Sequence, residues 1–180
     1  GRGRKQGETL KRLVMSFDSV MELLVRHQRD FELVFEESVS AGLVKIEKGK
    51  FKAGRREFQV LIVPPCELIH RDSALLVKRL LEAGGKFLVF GDLPARDHDD
   101  REILSELLPA FRKALQNGRA LQVPERSAIS RERLLAALDR LHPPSLELEC
   151  AFREQVVCRE WRFEDGAACF IANLGRESGA

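Results

Sequence analysis

The residues best suited to chemistry lie directly after an apolar run of the sequence. Cys66 follows Pro64-Pro65 at the end of the run from Phe58 to Val63, and His70 lies four residues further on. A thiol beside an imidazole can act as a nucleophile with its general base. An apolar setting would instead raise the pKa of the thiol, and four residues across a proline turn fix no geometry. Cys66 with His70 is therefore the alternative hypothesis, that of a small hydrolase.

A second group of candidates is the acidic loop from Asp92 to Asp100, which follows the apolar run from Lys86 to Phe90. Carboxylate oxygens are the ligands that magnesium prefers. A phosphatase or phosphoaspartate site would also need a lysine and a hydroxyl residue at defined strand ends, which we do not find. Helix capping explains Asp97 and Asp99 more simply. The loop remains an alternative site for a regulatory ligand, and no metal site is predicted.

Two adjacent glutamates, Glu36 and Glu37, follow the short apolar run from Phe31 to Phe35, which predicts a strand. Paired carboxylates at a strand end can do acid–base work. Acidic residues also begin helices, where they complement the helix dipole, and we favour that interpretation. The sequence contains no G-x-G-x-x-G, P-loop, G-x-S-x-G or H-E-x-x-H motif. We therefore expect no cofactor.

Composition restricts the class of protein and of partner. The 180 residues carry a net charge of +2 and 44% hydrophobic residues, which is ordinary for one folded domain or one domain with part of another. No apolar run is long enough to span a bilayer, and the interleaving of aromatic and basic residues typical of nucleic-acid binding is missing. We expect neither a membrane nor a nucleic acid as partner. Because Gly1 is not a natural initiator, we expect a segment of a longer protein.

The cysteines leave the redox compartment open. Besides Cys66 they are Cys150, Cys158 and Cys169, without the C-x-x-C spacing of a zinc site. One disulfide could form among these last three, although buried thiols are the favoured interpretation. Localisation is therefore not predicted.

The stretch from Phe58 to Pro94 must position the candidate residues. Two apolar runs rich in β-branched or aromatic residues predict strands that are buried on both faces. Between them, Asp72 and Ser73 predict a helix start and Gly84-Gly85 a helix stop. The unit is β-α-β, with the right-handed crossover expected of parallel strands.

The rest of the chain alternates in the same way. The further predicted elements are a helix from Thr9 to His27 with Met15 and Met21 in its apolar face, a hairpin from Leu43 to Arg56, a helix from Asp97 to Asn117 with a kink or a break at Pro109, a strand from Arg119 to Val123 and a helix that begins at Ser130. Asp165-Gly166 predicts a final hairpin with Trp161 opposite Phe170.

This order predicts an α/β fold, with a flavodoxin-like, doubly wound, mostly parallel sheet and helices on both faces, followed by a short antiparallel β segment. Pro143-Pro144 is the predicted boundary. It separates an α/β domain at 1–143 from a β extension, or the start of a β-sandwich, at 144–180.

Three runs of the sequence together resemble an internal region of large bacterial glycoside hydrolases related to α-L-rhamnosidases and β-galactosidases. They are FDSVMELLV, DFELVFEESVSAGLVKIEKGKFKAGRREFQVLIVPPCELI and LLEAGGKFLVFGDLP. The tail CREWRFEDGAACFIANLG resembles the start of the β-sandwich that follows in those enzymes. The similarity extends from about Phe17 to Asn173. It implies a domain like class I glutamine amidotransferases and the β-galactosidase trimerisation domain.

The resemblance also implies that the domain is not catalytic. Active amidotransferases keep their cysteine on the turn after the second strand of the central unit, where this chain has Phe90-Gly91-Asp92-Leu93. No His-x-Glu follows, since His98 and His142 precede other residues. The implied role is to support a catalytic domain, oligomerisation or substrate access. The implied partners are the other domains of the parent hydrolase or further copies of the chain, and carbohydrate only indirectly.

Overall fold

The computed structural model describes residues 2–54, 56–99, 101–124, 127–144, 149, 156–162 and 165–173. The helices are α1 (Arg2–Arg26), α2 (Glu36–Ser40), α3 (Arg71–Glu82), α4 (Leu104–Gln116) and α5 (Ser127–Leu141). The strands are β1 (Val44–Glu47), β2 (Lys50–Ala53), β3 (Arg56–Phe58), β4 (Val60–Val63), β5 (Leu68–Ile69), β6 (Lys86–Phe90), β7 (Arg96–Asp97), β8 (Ala120–Val123), β9 (Val156–Arg162) and β10 (Ala167–Asn173).

The centre of the fold is a parallel sheet with the strand order β4-β6-β8. Its middle strand alternates between two cores: Phe87 and Val89 pack with α3 and α4, whereas Leu88 and Phe90 pack with α1 and α5. Phe87, Leu88 and Val89 are fully buried. The prediction of an α/β fold with a parallel sheet, helices on both of its faces and a short antiparallel sheet is confirmed.

The predicted flavodoxin-like, doubly wound topology requires a particular kind of strand order. A doubly wound sheet has a point where the strand order reverses. Within the part of the chain that the structure describes, β4, β6 and β8 follow one another in chain order, and no reversal is present. The flavodoxin-like winding therefore stays a prediction.

Two apolar runs differ from their predicted strands. The run from Phe31 to Phe35 has no regular secondary structure, and Phe35 is largely exposed. The run from Phe58 to Val63 is broken at Gln59, so that Phe58 ends β3 and Val60 begins β4. Phe58 pairs with Phe51 in an antiparallel sheet, whereas β4 pairs in parallel with β6. A bend at Gln59 separates the two strands, so that the antiparallel and the parallel pairing belong to different sheets.

Helix α3 is capped at both ends. The side chain of His70 caps its N-terminus, and the backbone N–H groups of Gly84 and Gly85 cap its C-terminus. Its N-cap is His70, not Asp72 or Ser73 as predicted, and Ser73 is buried inside the first turn. At the other end, the N–H of Gly84 donates to Leu81 O and that of Gly85 to Leu80 O. This is a Schellman motif, which requires the left-handed conformation that Gly84 adopts (φ 84°). The predicted helix stop is confirmed.

Helix α4 begins seven residues later than predicted, at Leu104 instead of Asp97. Asp97 belongs to β7, and the carboxylate of Glu102 accepts the N–H of Ser105 in the first turn of α4. Pro109 lies inside one continuous helix, so the predicted break is wrong. Pro109 is the sixth residue of α4, where it cannot donate a hydrogen bond to the carbonyl of Ser105 and where its ring crowds that carbonyl.

The predicted hairpin before the central unit is confirmed as the antiparallel sheet β1-β2-β3. Its first turn contains Lys48 and Gly49, both with positive φ, as a primed turn requires. Gly49 lies against the end of α3, where a Cβ on Gly49 would come within 2.8 Å of the carbonyl oxygen of Ala83.

The final hairpin is confirmed, but its register is not the predicted one. Trp161 lies opposite Ala168, and Phe170 lies opposite Arg159. Since Arg162 pairs with Ala167, four residues connect the strands instead of the two of a tight Asp-Gly turn. The tail from Leu146 to Cys150 lies outside the described residues except for Glu149. The domain boundary at Pro143-Pro144 stays a prediction.

Helix α1 is longer than predicted, and its apolar stripe is only half covered. Val20 and Leu24 are buried against the sheet. Towards the N-terminus the same stripe is uncovered: Leu10 is 64% exposed and Val14 50%. Met15, predicted to fill the core, is also exposed. No helix in the described part of the chain is long and apolar enough to cross a membrane.

Candidate functional site

The predicted site residues do come together at the carboxyl ends of the parallel strands. Cys66 follows β4, His70 begins α3, and His98 follows β7 in the acidic loop. The rings of His70 and His98 lie 5.9 Å apart. Ligands of open parallel sheets bind at this edge, so the position is the right one for a site.

The residue that connects this cluster is Glu36, in the first turn of α2. One carboxylate oxygen accepts the backbone N–H of His70, and the other lies 3.3 Å from Nε2 of His98. The interpretation of Glu36 and Glu37 as the start of a helix is confirmed. Through the hydrogen bond from His70, Glu36 also joins α2 to the start of α3.

His70 is occupied by the helix that it caps. Its Nδ1 atom accepts the N–H of Asp72 at 3.3 Å and lies 3.5 Å from the hydroxyl of Ser40. Among the described residues, no hydrogen bond joins the ring of His70 to the thiol of Cys66. The arrangement of a nucleophile with its general base is therefore not formed.

The surroundings of Cys66 hold its thiol in the protonated form. Burial, and after it the negative charge of Glu36, together raise the pKa of Cys66 to about 11. Cys66 packs against the core formed by α3, α4 and the sheet. A catalytic cysteine requires the opposite, a lowered pKa beside a cation or a helix N-terminus. The chemistry of Cys66 is that of a partly buried structural thiol.

The acidic loop is organised by Asp97, whose side chain is almost completely buried. Burial by itself would raise the pKa of Asp97, but hydrogen bonds from the backbone and guanidinium of Arg101 and from the N–H of Asp99 outweigh it and lower the pKa. Asp97 is an acceptor for its own loop and not the helix cap that we predicted.

No cation site emerges from the other acidic side chains of this loop that the structure describes, Asp92 and Asp99, and Asp100 lies outside the described residues. Asp92 faces the amide of Gln122 at 3.4 Å, and Asp99 pairs with Arg101. Across the described ranges, no group of three or more histidine, cysteine, aspartate or glutamate side chains is placed to hold a metal ion. The geometry of the loop is explained by its own hydrogen bonds.

A cleft of about 550 Å³ lies elsewhere, along the side of β4 that faces α1. Its walls include Phe17 and Leu24 of α1, Phe31 and Leu33 of the irregular segment, and Ile62 of β4. This volume is within the range of small-molecule sites, and its walls are mainly apolar. No pattern in the sequence indicates this cleft, because the segment at residues 31–35 that forms part of its wall has the composition of a strand.

One end of the cleft contains a buried cation. The guanidinium of Arg29 donates to the carbonyl of His142 and pairs with Asp139, and its Nε atom has no hydrogen-bond partner among the described residues. Nearby, Lys86 Nζ donates to the carbonyl of Leu141. Both cations thus cap the C-terminus of α5. Burial, then the charges of Lys86 and Arg29, lower the pKa of His142.

Comparison with known proteins adds no family. No protein-family model matches the chain, no curated protein is significantly similar to it, and no solved structure matches it. The resemblance to domains of bacterial glycoside hydrolases therefore stays a prediction from the motifs of the sequence. Statements on function have to rest on the geometry described above.

Proposed function

We propose that this chain is a non-catalytic α/β interaction domain of a multidomain carbohydrate-active hydrolase. The observation that carries the proposal is the state of Cys66 and His70. Cys66 packs against the core of α3 and α4, where burial and then Glu36 raise the pKa of its thiol to about 11, and the imidazole of His70 caps a helix. The turn after β6, where active amidotransferases hold their nucleophile, has Gly91 and Asp92. Cys66 and His70 are therefore engaged in holding the fold.

The apolar stripe of α1 favours an interaction role. At about 1.5 Å per residue, the 25 residues of α1 extend for roughly 37 Å, far beyond the four- and five-residue strands on which the helix lies. Leu10, Val14 and Phe17 continue the stripe of Val20 and Leu24 towards the N-terminus and are exposed, with Phe17 at the wall of the cleft. A contiguous apolar stripe of this kind marks a contact surface. We assign it to a neighbouring domain of the same polypeptide.

Within the α/β class, we propose that the domain has the flavodoxin-like fold. Helices on both faces and a fully buried middle strand support it. A β-sandwich would begin with β9 and β10 at the end of the chain. Oligomerisation through the same surface is the second form that the proposed interaction could take.

The test starts from the reading frame on both sides of this segment. An encoded barrel with paired carboxylates is the expected result, and stop codons directly on both sides would contradict the proposal.

The barrel is then expressed separately and its affinity for the chain is measured by calorimetry. Because the stripe would be buried, the variant L10K/V14K should weaken binding at least about tenfold. The matched control is D18K, an exposed position of α1 outside the stripe, which should bind like the parent.

A further inference from the structure

The final hairpin brings two cysteines together. Cys158 of β9 lies opposite Ile171 of β10, and Cys169 lies two residues before Ile171. Side chains two residues apart on a strand project from the same face, so Cys169 and Cys158 are diagonal neighbours on one face of the hairpin. Their sulfur atoms are 2.9 Å apart, and both residues are present as thiols.

The two thiols differ in access. Cys158 is buried, whereas Cys169 is exposed. A disulfide bond is about 2.0 Å long, so the sulfurs have to approach by only roughly 0.9 Å, the difference between 2.9 Å and that length. A soluble oxidant can reach Cys169 first, and Cys158 is then in position to complete the bond.

We propose that Cys158 and Cys169 are a disulfide-forming pair that is oxidised by low-molecular-weight disulfides such as oxidised glutathione. The thiolate of Cys169 attacks one sulfur of the oxidant, which forms a mixed disulfide and releases one glutathione thiolate. Cys158 gives its proton to water, and its thiolate attacks the sulfur of Cys169 and releases the second glutathione. The chain loses two electrons and two protons, and the oxidant becomes two thiols.

The bond would fix a part of the fold that is otherwise weakly held. A two-stranded sheet by itself is marginally stable in water. This hairpin is tied to the end of α1 by the side chain of Gln28, which donates to the carbonyl of Val156 at 3.0 Å. Cys158 also lines the cleft beside α1. Oxidation therefore stabilises one wall of the cleft, whether or not the chain belongs to a hydrolase.

The experiment treats the chain under native conditions with oxidised glutathione, then counts thiols by alkylation and mass spectrometry and maps disulfides in proteolytic peptides. The reduced chain has four thiols, and we expect two after oxidation, with Cys158 linked to Cys169. The variant C150S should fall from three thiols to one. The variant C158S should keep glutathione on Cys169, whereas the parent releases it.

Three results would overturn the proposal. They are a peptide that links Cys169 to Cys150, a stable glutathione adduct on Cys169 of the parent chain, and four unchanged thiols in excess oxidant. Mapping of the parent chain decides the matter even where a variant fails to fold. The variant C66S serves as a control and should form the same disulfide, because Cys66 belongs to a different core.

Discussion

The imidazole of His70 accepts the backbone N–H of Asp72 through Nδ1, and this hydrogen bond forms the N-cap of α3. A nitrogen that accepts a backbone hydrogen bond is not free to take the proton of a nearby thiol. His70 therefore serves as the N-cap of α3 and not as a general base for Cys66.

Removal of this cap should destabilise the fold without changing the reactivity of Cys66. For H70A we expect a loss of about 1 kcal/mol in the free energy of unfolding, since an N–H at the start of α3 loses its acceptor. Urea denaturation measures the loss. H70N is the matched control, because asparagine is a good N-cap, and it should unfold near the parent midpoint. A large decrease in the alkylation rate of Cys66 in H70A would instead support a catalytic pair.

The contact between Gly49 and the end of α3 should tolerate no side chain. G49A places a Cβ 2.8 Å from the carbonyl oxygen of Ala83, in addition to the strain of a positive φ. Gly42 has nearly the same φ and nothing within 4 Å, so G42A carries the strain alone. We expect G49A to lose about 1–3 kcal/mol more than G42A in thermal or urea unfolding. Equal losses would mean that the hairpin does not pack on α3.

Stability should fall in two steps as the pH is lowered. The pKa of His142 is lowered by burial and by Lys86 and Arg29, so the unfolded chain binds a proton at this site more readily than the folded chain. The free energy of unfolding therefore falls as the pH drops below about 6.5, the usual pKa of histidine. H142Q should abolish this first step in urea titrations between pH 7 and 5.

The second step has the same sign and includes Asp97, together with Glu57 and Glu102, whose pKa values are also lowered. The pKa of Asp97 in the folded chain is lowered, so its contribution is fully present above about pH 3.9 and is lost as the pH falls through the folded value. D97N should remove part of this step and leave the step near pH 6.5 in place. If the free energy of unfolding of the parent chain stayed constant from pH 7 to 5, the assignment of the first step to His142 would be wrong.

The central unit could be predicted from the sequence because its signals are local. Phe87 to Phe90 is apolar throughout, and Gly84-Gly85 provides the left-handed residue that a helix stop needs. Burial on both faces follows directly from such a run. The position of Cys66 and Asp92 at the carboxyl edge of the sheet follows from the topology.

The remaining features depend on partners that are distant in sequence. Glu36 meets His98 across 62 positions, and no local pattern indicates such a contact. The residues from Phe31 to Phe35 have the composition of a strand, but they lie beside the cleft without regular structure. The register of the last hairpin depends on whether its loop has two or four residues, which an Asp-Gly pair alone does not decide.

The most direct test of the central claim is the rate of alkylation of Cys66 as a function of pH, followed by mass spectrometry of the Cys66 peptide in the folded chain. If Cys66 is a partly buried structural thiol, its rate should be low near neutral pH and rise only towards the pKa of about 11. C66A should retain the fold and lose about 0.5–1.5 kcal/mol in the free energy of unfolding, as expected when one heavy atom is removed from a partly buried apolar contact. A rate that reaches its plateau below pH 8 would show a reactive thiolate and would contradict the account of this chain as a non-catalytic domain.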